Sequence, residues 1–368
     1  MKDIQNDPEL ELQTLVSGMH LSPDFGLTYH QIEKDGFKID EKIEILLSSD
    51  TAVGVAKSVG LGVLGFCDAL YRLSPDMLII LGDRFEALAA AQTAMLLRIP
   101  VVHLHGGEIT EGAYDDAIRH AITKLSYLHF TATEEYRQRV IQLGEDPERV
   151  KNVGAIGLEH LRRTQLMTLQ ELSDSLGFDI HKPYFLVTYH PTTLAIEPIE
   201  QGFQALLKAL DAYSNYQVIF TYPNADDGGR LIISLLESYA KKHSERVLAI
   251  PSLGQVRYLT ALKYAAAVIG NSSSGIIEAP SYCVPTVNIG QRQQGRLAAL
   301  SVFHCGVQAK EIEKAIRKSL EMDYKHQDNK VTNPYDQGNA SYQIIETIKK
   351  INKIEMKVFY DLNCREKL

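Results

Sequence analysis

The feature that most constrains this chain is a series of short runs that are apolar at consecutive positions, each followed by a helical pattern. The runs are "DMLIILGD", "PVVHLHG", "YLHFTATE", "YFLVTYHP", "YQVIFTYP", "RVLAIP", "AAAVIGNSS" and "PTVNIG", with "LELQTLVSG" ahead of them. A strand without polar alternation has both faces buried, which requires a parallel sheet covered by helices on either side. Segments such as "RFEALAAAQTAMLLR", "DDAIRHAITKLS", "FQALLKALDAY" and "LIISLLESYAKKH" supply those helices. A polar stretch, "TLQELSDSLGFDIHKP", divides the runs into two series. The pattern predicts two doubly wound, Rossmann-like α/β domains, residues 1–165 and 166–344, with the active site in a cleft between them. A final helix within 345–368, "NASYQIIETIKKINKI" running into it, is expected to pack back on the first domain. With 368 residues, 45% of them hydrophobic, the chain can furnish a core for each.

A formal charge of −8 excludes a sequence-blind grip on nucleic acid. An anionic ligand would need a local arrangement of backbone amides and a few arginines. The four cysteines are scattered, with no C-x-x-C pair, as suits a reducing compartment. No apolar run reaches eighteen residues and "MKDIQNDPEL" has no signal-peptide core, so a soluble, cytoplasmic protein without a membrane partner is expected.

Parallel sheets bind ligands beyond the carboxyl ends of their strands. The polar ends here are Gly82-Asp83-Arg84, His105 with Gly106, Gly107 and Glu108, then His190, Asn224, and Asn271 to Ser274. Gly, Asn, Asp and Ser also make ordinary turns, so each end taken singly has a purely structural reading. "GNSSSGIIEAP" points backbone N–H groups outward at a helix start, a ready site for phosphate, with the Ser272 and Ser273 hydroxyls as added donors. Glu278 could accept from ribose hydroxyls, and Arg292 in "NIGQRQQGR" could supply charge to a diphosphate. In "DDAIRHAITKLS", Asp116, Arg119, His120 and Thr123 share one helix face, which reads as a capped, ion-paired helix. His103, one pleat deeper than His105, reads as structural.

Taken together, "LGDRFEALAAA", "HLHGGE", "DDAIRHAITKLS", "GNSSSGIIEAP" and "NIGQRQQGR" resemble the hydrolysing UDP-N-acetylglucosamine 2-epimerases of sialic-acid and related nonulosonate synthesis. The similarity runs from "LVSGMHLSPDFG" almost to the C-terminus. It implies a glycosyltransferase-B-like fold, a homodimer or homotetramer, and no nicotinamide, metal or other cofactor. The implied reaction converts UDP-GlcNAc to free N-acetylmannosamine and UDP. Cleavage of the C1–O bond builds positive charge on the ring, a carboxylate removes H2 to leave 2-acetamidoglucal, and water adds back with inverted C2. By resemblance Asp83 and Asp115 are the catalytic acids. Some relatives carry a glutamate at the position of His105, so the remaining acid/base part falls to His105 or to Glu108. Carry-over by motif assigns Arg84, His190, Asn224, Ser272, Ser273, Glu278 and Arg292 to the UDP.

Four rival readings remain. A nucleotide-linked 2,4-diacetamido-trideoxyhexose of the legionaminic-acid pathway could replace UDP-GlcNAc as substrate. A non-catalytic nucleotide-sugar sensor would bind UDP without turnover, and a glycosyltransferase of the same fold would need an acceptor. A metallohydrolase could use the H-x-H pair with nearby carboxylates. Family members also open with a strand and a loop T-G-[TS]-R-A-[DE]-[YF]-G that this sequence does not contain, so the resemblance implies a chain short by one central strand. On that expectation the chain as written is poorly soluble or inactive.

Overall fold

The computed structural model describes residues 1–23, 27–47, 51–109, 114–191, 199–223, 229–321, 331–351 and 353–362. They form two compact units, Met1–Ile156 with Gln337–Leu368, and Gly157–Asp336. The chain enters the second unit before the expected boundary at 165, because the short helix Glu159–Arg163 is tied to that unit's far end by Arg162 on Asp336.

Unit 1 holds α1 (Lys2–Asn6), β1 (Leu15–Ser17), α2 (Tyr29–Lys34), β2 (Glu41–Ile43), α3 (Ala52–Leu73), β3 (Leu78–Leu81) and α4 (Phe85–Leu96). Then follow β4 (Val101–Leu104), α5 (Tyr114–Leu125), β5 (Leu128–Thr131), α6 (Glu134–Gln142) and β6 (Val150–Asn152). The sheet order is β3-β4-β5-β6, all parallel, with β1 and β2 forming a separate parallel pair. β4 and β5 are buried at every residue, as their sequences require. β3 is an edge strand, and Leu81 on it is exposed.

The core under β3 is built from α3 and α4, through Phe66, Leu70, Phe85, Ala89, Ala91 and Ala94. Two glycines let α3 come close. A Cβ on Gly62 would stand 2.9 Å from the Ala89 methyl, and one on Gly65 would strike Ile43. Thr51 caps α3 by accepting from the Gly54 N–H at 3.1 Å. No unbroken apolar run of eighteen residues occurs in α3, which Lys57 and Asp68 interrupt, although its average hydropathy is high. It has 22 residues and an eighteen-residue window of mean hydropathy 1.5.

Unit 2 contains α7 (Glu159–Arg163), α8 (Leu169–Leu176), β7 (Tyr184–Thr188), α9 (Ile199–Asp211), β8 (Gln217–Thr221), α10 (Gly229–Lys242) and β9 (Val247–Ile250). It continues with α11 (Gly254–Tyr264), β10 (Ala267–Gly270), α12 (Ser274–Ile277), β11 (Thr286–Ile289), β12 (Val302–Cys305) and α13 (Ala309–Glu321). The six parallel strands run β12-β11-β10-β7-β8-β9, the doubly wound order that reverses at the central pair β10/β7. One face carries a core of Phe185, Phe203, Phe220 and Ile316, the other one of Leu172, Tyr184, Leu186 and Leu262. α8 opens with a reciprocal capping box between Thr168 and Glu171 and closes on Gly177 in the left-handed region. α14 (Ala340–Lys349) returns to unit 1 beside α1, where Lys349 pairs with Asp7 at 3.1 Å and Glu9 at 2.6 Å.

Candidate active site

In unit 1 the ionisable residues gather where β3 and β4 finish. Gly82 turns the chain with φ +83°, placing Asp83 beyond the strand and Arg84 at the start of α4. After β4, His105 itself occupies the left-handed region at φ +64°, a conformation costly for any residue with a Cβ. It is held there by a 2.7 Å hydrogen bond between its Nδ1 and the buried Glu108 carboxylate. Gly107 must be glycine, since φ is +79° and a Cβ would sit 2.3 Å from the Tyr136 carbonyl oxygen.

α5 brings the opposing charges. Arg119 is buried, with 4% of its side chain exposed, and ion-pairs with Asp83. Its Nη1 donates to the Glu108 carbonyl at 2.7 Å and lies 3.6 Å from Asp116 Oδ1. Asp116 in turn faces His120 Nε2 at 3.5 Å. One guanidinium thus joins the end of β3, the turn after β4 and the first turn of α5. Arg119 is ion-paired, as its helical spacing suggests, and its burial makes it the hub of the cluster. The sequence shows neither its burial nor its pairing across to Asp83, since both depend on packing.

His103 supports the cluster from below. It is fully buried, and its ring nitrogens meet the Gly82 carbonyl at 2.9 Å and Thr123 Oγ1 at 3.2 Å. Burial drives its pKa down to about 3, against a smaller upward pull from the Gly82 carbonyl, so it stays neutral. Asp115 stands half-buried at the start of α5. Burial raises its carboxyl above the usual range, and the Arg84 charge only partly offsets this. Arg84, expected on the nucleotide, therefore lies among the unit 1 carboxylates, 3.5 Å from Glu86. Asp83, His105, Glu108 and Asp115 come from three segments onto one end of one sheet.

Unit 2 has its own cluster at the β10/β7 reversal. Gly270, at φ +138°, approaches β7 so closely that a Cβ would strike the Thr188 carbonyl. The next residue, Asn271, is buried and braces the end of β7 in both directions. Its Oδ1 accepts from the His190 N–H at 2.7 Å and its Nδ2 donates to the His190 carbonyl at 2.8 Å. Arg292 and Gln293 donate to the Asn271 carbonyl at 3.0 and 2.9 Å. His190, Asn271 and Arg292 are thereby one assembly.

The phosphate-type helix start is smaller than expected. α12 has four residues, and the Ser273 side chain makes no capping hydrogen bond. A single turn carries little macrodipole, so any anion there would rest on individual backbone and hydroxyl donors. The Ser272 hydroxyl accepts from the Ser274 N–H at 3.4 Å, and Tyr258 donates to the Ser274 hydroxyl at 2.6 Å. Glu278 closes the turn, half-buried beside Tyr258 and Tyr282. Asn224 lies outside the described residues. Among the described residues, no group of three or more His, Cys, Asp or Glu side chains is arranged to hold a metal ion. A cavity of about 580 Å³ in unit 1, between β6 and α14, is lined by none of the candidate residues.

Two parallel α/β units with ionisable clusters at strand carboxyl ends define a Rossmann-like protein of the glycosyltransferase-B type. The sequence profile described as UDP-N-acetylglucosamine 2-epimerase matches residues 2–349. The chain belongs to this family. It is 42% identical over 363 residues to the Campylobacter jejuni GDP/UDP-N,N'-diacetylbacillosamine 2-epimerase (hydrolyzing), covering 98% of this chain and 94% of that protein. It is 37% identical over 351 residues to the Legionella pneumophila UDP-N,N'-diacetylbacillosamine 2-epimerase (hydrolyzing), covering 95% and 91%. Among solved structures, the UDP-GlcNAc 2-epimerase from Neisseria meningitidis bound to UDP-GlcNAc superposes with a TM-score of 0.72 at 19% identity, covering 95% and 94%. That last likeness establishes the fold.

Proposed function

We propose that this chain is a cytoplasmic hydrolysing 2-epimerase acting on a nucleotide-linked 2,4-diacetamido-2,4,6-trideoxyhexose, releasing the 2-epimeric free sugar and the nucleoside diphosphate. The observation that carries the substrate is the 42% and 37% identity, nearly end to end, to two enzymes named for diacetylbacillosamine. UDP-GlcNAc, implied by the motif resemblance, has the weaker support of the family description and of 33% identity to a Neisseria meningitidis UDP-N-acetylglucosamine 2-epimerase.

The chemistry asked of the site is an elimination followed by a hydration. The C1–O bond to the diphosphate breaks, and the leaving oxygen carries the electron pair away as nucleoside diphosphate. A carboxylate takes the C2 proton, closing the C1–C2 double bond of the 2-acetamidoglycal. Protonation at C2 from the opposite side and addition of water at C1 give the free sugar. Asp83 and Asp115 are the acid/base pair in this reading. Asp83 is ion-paired with Arg119, and about a quarter of its side chain is left exposed, which suits the role of base. Burial favours the protonated form of Asp115, as an acid requires. The His105–Glu108 pair supplies the further proton-transfer group, with the 2.7 Å bond fixing the imidazole tautomer. Arg84, His190, Asn224, Ser272, Ser273, Glu278 and Arg292 take the nucleotide, where fixed donors stabilise the departing diphosphate.

Incubation with UDP-diacetylbacillosamine and with UDP-GlcNAc in heavy water, followed by proton NMR, tests both halves. The expected result is faster turnover of the diacetamido sugar with solvent deuterium at C2. Preference for UDP-GlcNAc would overturn the substrate, and full protium at C2 would overturn the elimination.

A further inference from the structure

We propose that the C-terminal strap, residues 353–362, fixes the helix that carries Asp115 and Arg119, with Lys357 as its positioning residue. The proposal rests on the reading of Asp83 and Asp115 as the acid/base pair. The strap lies past residue 349, where the match to the family profile ends. Its apolar side chains do not hold it. Ile354, Met356, Val358 and Tyr360, at every second position, are exposed, Met356 at 84% and Val358 at 65%. Among residues 353–362 only Lys357 is not exposed. A segment that inserts its lysine and leaves methionine and valine in water is held by polar geometry rather than by apolar burial.

The socket for Lys357 uses its whole hydrogen-bonding capacity. An ammonium has three N–H donors. They go to the Lys124 carbonyl, the Ser126 carbonyl and Glu145 Oε2, each at 2.7 Å. The last turn of a helix leaves carbonyls without partners inside the helix. In α5 Ser126 serves two of them, donating from its hydroxyl to the Ile122 carbonyl and from its N–H to the Thr123 carbonyl. The strap supplies the Lys124 carbonyl from a distant part of the chain, and sets a cation where the helix dipole is negative. Beside this socket Phe359 lies on Gly144, where a Cβ would strike its ring, and the Tyr360 N–H donates to the Gly144 carbonyl at 3.0 Å.

The twelve residues of α5 span about 18 Å. The helix is tied to the site by Arg119, on Asp83 and on the Glu108 carbonyl, and its far end is tied by Lys357. Glu145, with 2% of its side chain exposed, gathers the far end, meeting Lys124 at 2.6 Å and His129 at 3.0 Å as well as Lys357. His129 stands beside His103 in the β5–β4 register, and His103 touches both the Gly82 carbonyl and Thr123 of α5. A helix released at one end shifts as a unit, carrying Asp115 and Arg119 with it. A misplacement of about 1 Å can cost about two orders of magnitude in rate.

Steady-state kinetics and hydrogen exchange read by mass spectrometry, both on the full chain, test the assignment. Lys357→Met keeps the stem and loses the ammonium. Its kcat per folded enzyme should fall about ten- to hundredfold while KM stays within about twofold. The α5 amides should exchange about tenfold faster than in the parent. Lys357→Arg should recover part of both losses, and Met356→Ser, on the outward side of the strap, should change neither. Lys357→Gln keeps two donors, so it should fold even where Lys357→Met does not, and show the same changes at smaller size. Parental exchange in α5 of the Lys357 variants, equal damage from Met356→Ser, or a loss confined to thermal stability would each overturn the proposal. A parent without turnover would overturn the acid/base reading instead, and the exchange result would then decide the strap alone.

Discussion

Arg119 of α5 holds the carboxylate of Asp83 from outside the sheet, and the same guanidinium clasps the turn that carries His105 and Glu108. Asp83 is about a quarter exposed while Arg119 is almost wholly buried. The pair therefore works as a fixed cation presenting a reachable carboxylate.

If Asp83 is the base, Asp83→Asn should lower kcat by about two to four orders of magnitude and leave UDP affinity nearly unchanged. Arg119→Met should lower kcat as well, and should move the acid limb of the pH profile upward, because Asp83 loses the charge that favours its ionised form. The double variant should be no worse than the more damaged single, since the two act as one unit. Losses that simply add in steady-state kinetics would show two independent roles.

Asp115 should give opposite signs for stability and activity. Its carboxyl is raised, chiefly by burial, so the folded state holds its proton more tightly than the unfolded state does. Folding stability from this group therefore falls as pH rises from the ordinary carboxylate value through the raised one. Asp115→Asn should accordingly be as stable as the parent, or more so, at pH 7 while its turnover drops. Urea unfolding at pH 5 and pH 8, beside kcat, measures both; a variant less stable at pH 8 than at pH 5 relative to the parent contradicts the sign.

The opposite case sits behind α5. Burial would raise Glu145, but hydrogen bonds from His129, Lys124 and Lys357 outweigh it and hold the carboxyl at about 2. Lys357 lies 2.7 Å from Glu145, and its ammonium also donates to the Lys124 and Ser126 carbonyls at the end of α5. A depressed carboxyl contributes stability that is present above its unfolded value and is lost as pH falls through the folded one. Glu145→Gln should cost about 3 kcal/mol near neutrality, as removal of one partner from a buried pair does. The gap between variant and parent in denaturant unfolding should shrink between pH 5 and pH 2. A gap that stays constant over that range would assign the loss to packing.

The sequence made the apolar strands legible, the edge strands β3 and β9 included, and hid the short polar ones. β4, β5, β7, β8, β10 and β11 are buried at every residue and read as mainly apolar runs without polar alternation. β2 (EKI), β6 (VKN) and β12 (VFHC) each close one side of a sheet, are three or four residues long and only partly buried, and carry polar or charged residues, so no apolar run marks them in the sequence. The site followed the same logic. Asp83, His105 and Glu108 were visible because strand ends point to them, whereas Arg119 and Lys357 act through burial that only packing decides. α12 shows the reverse error, a helix-start motif that was read correctly while its length of one turn was not.

Asn271 tests the nucleotide half. Both of its amide groups are spent on the His190 backbone, so it orders the turn and leaves only its neighbours to face a ligand. Asn271→Ala would strand a buried N–H and a buried carbonyl at about 1–3 kcal/mol each, and should loosen His190 and Arg292 together. Asn271→Asp keeps the acceptor for the His190 N–H, loses the donor to its carbonyl, and adds a negative charge beside any diphosphate. We expect UDP affinity, measured by calorimetry, to fall about tenfold or more in both, with the aspartate variant the weaker at pH 8 and recovering as the pH is lowered. Affinity that is equal in the two variants and independent of pH would mean that the diphosphate does not bind at the β10/β7 reversal.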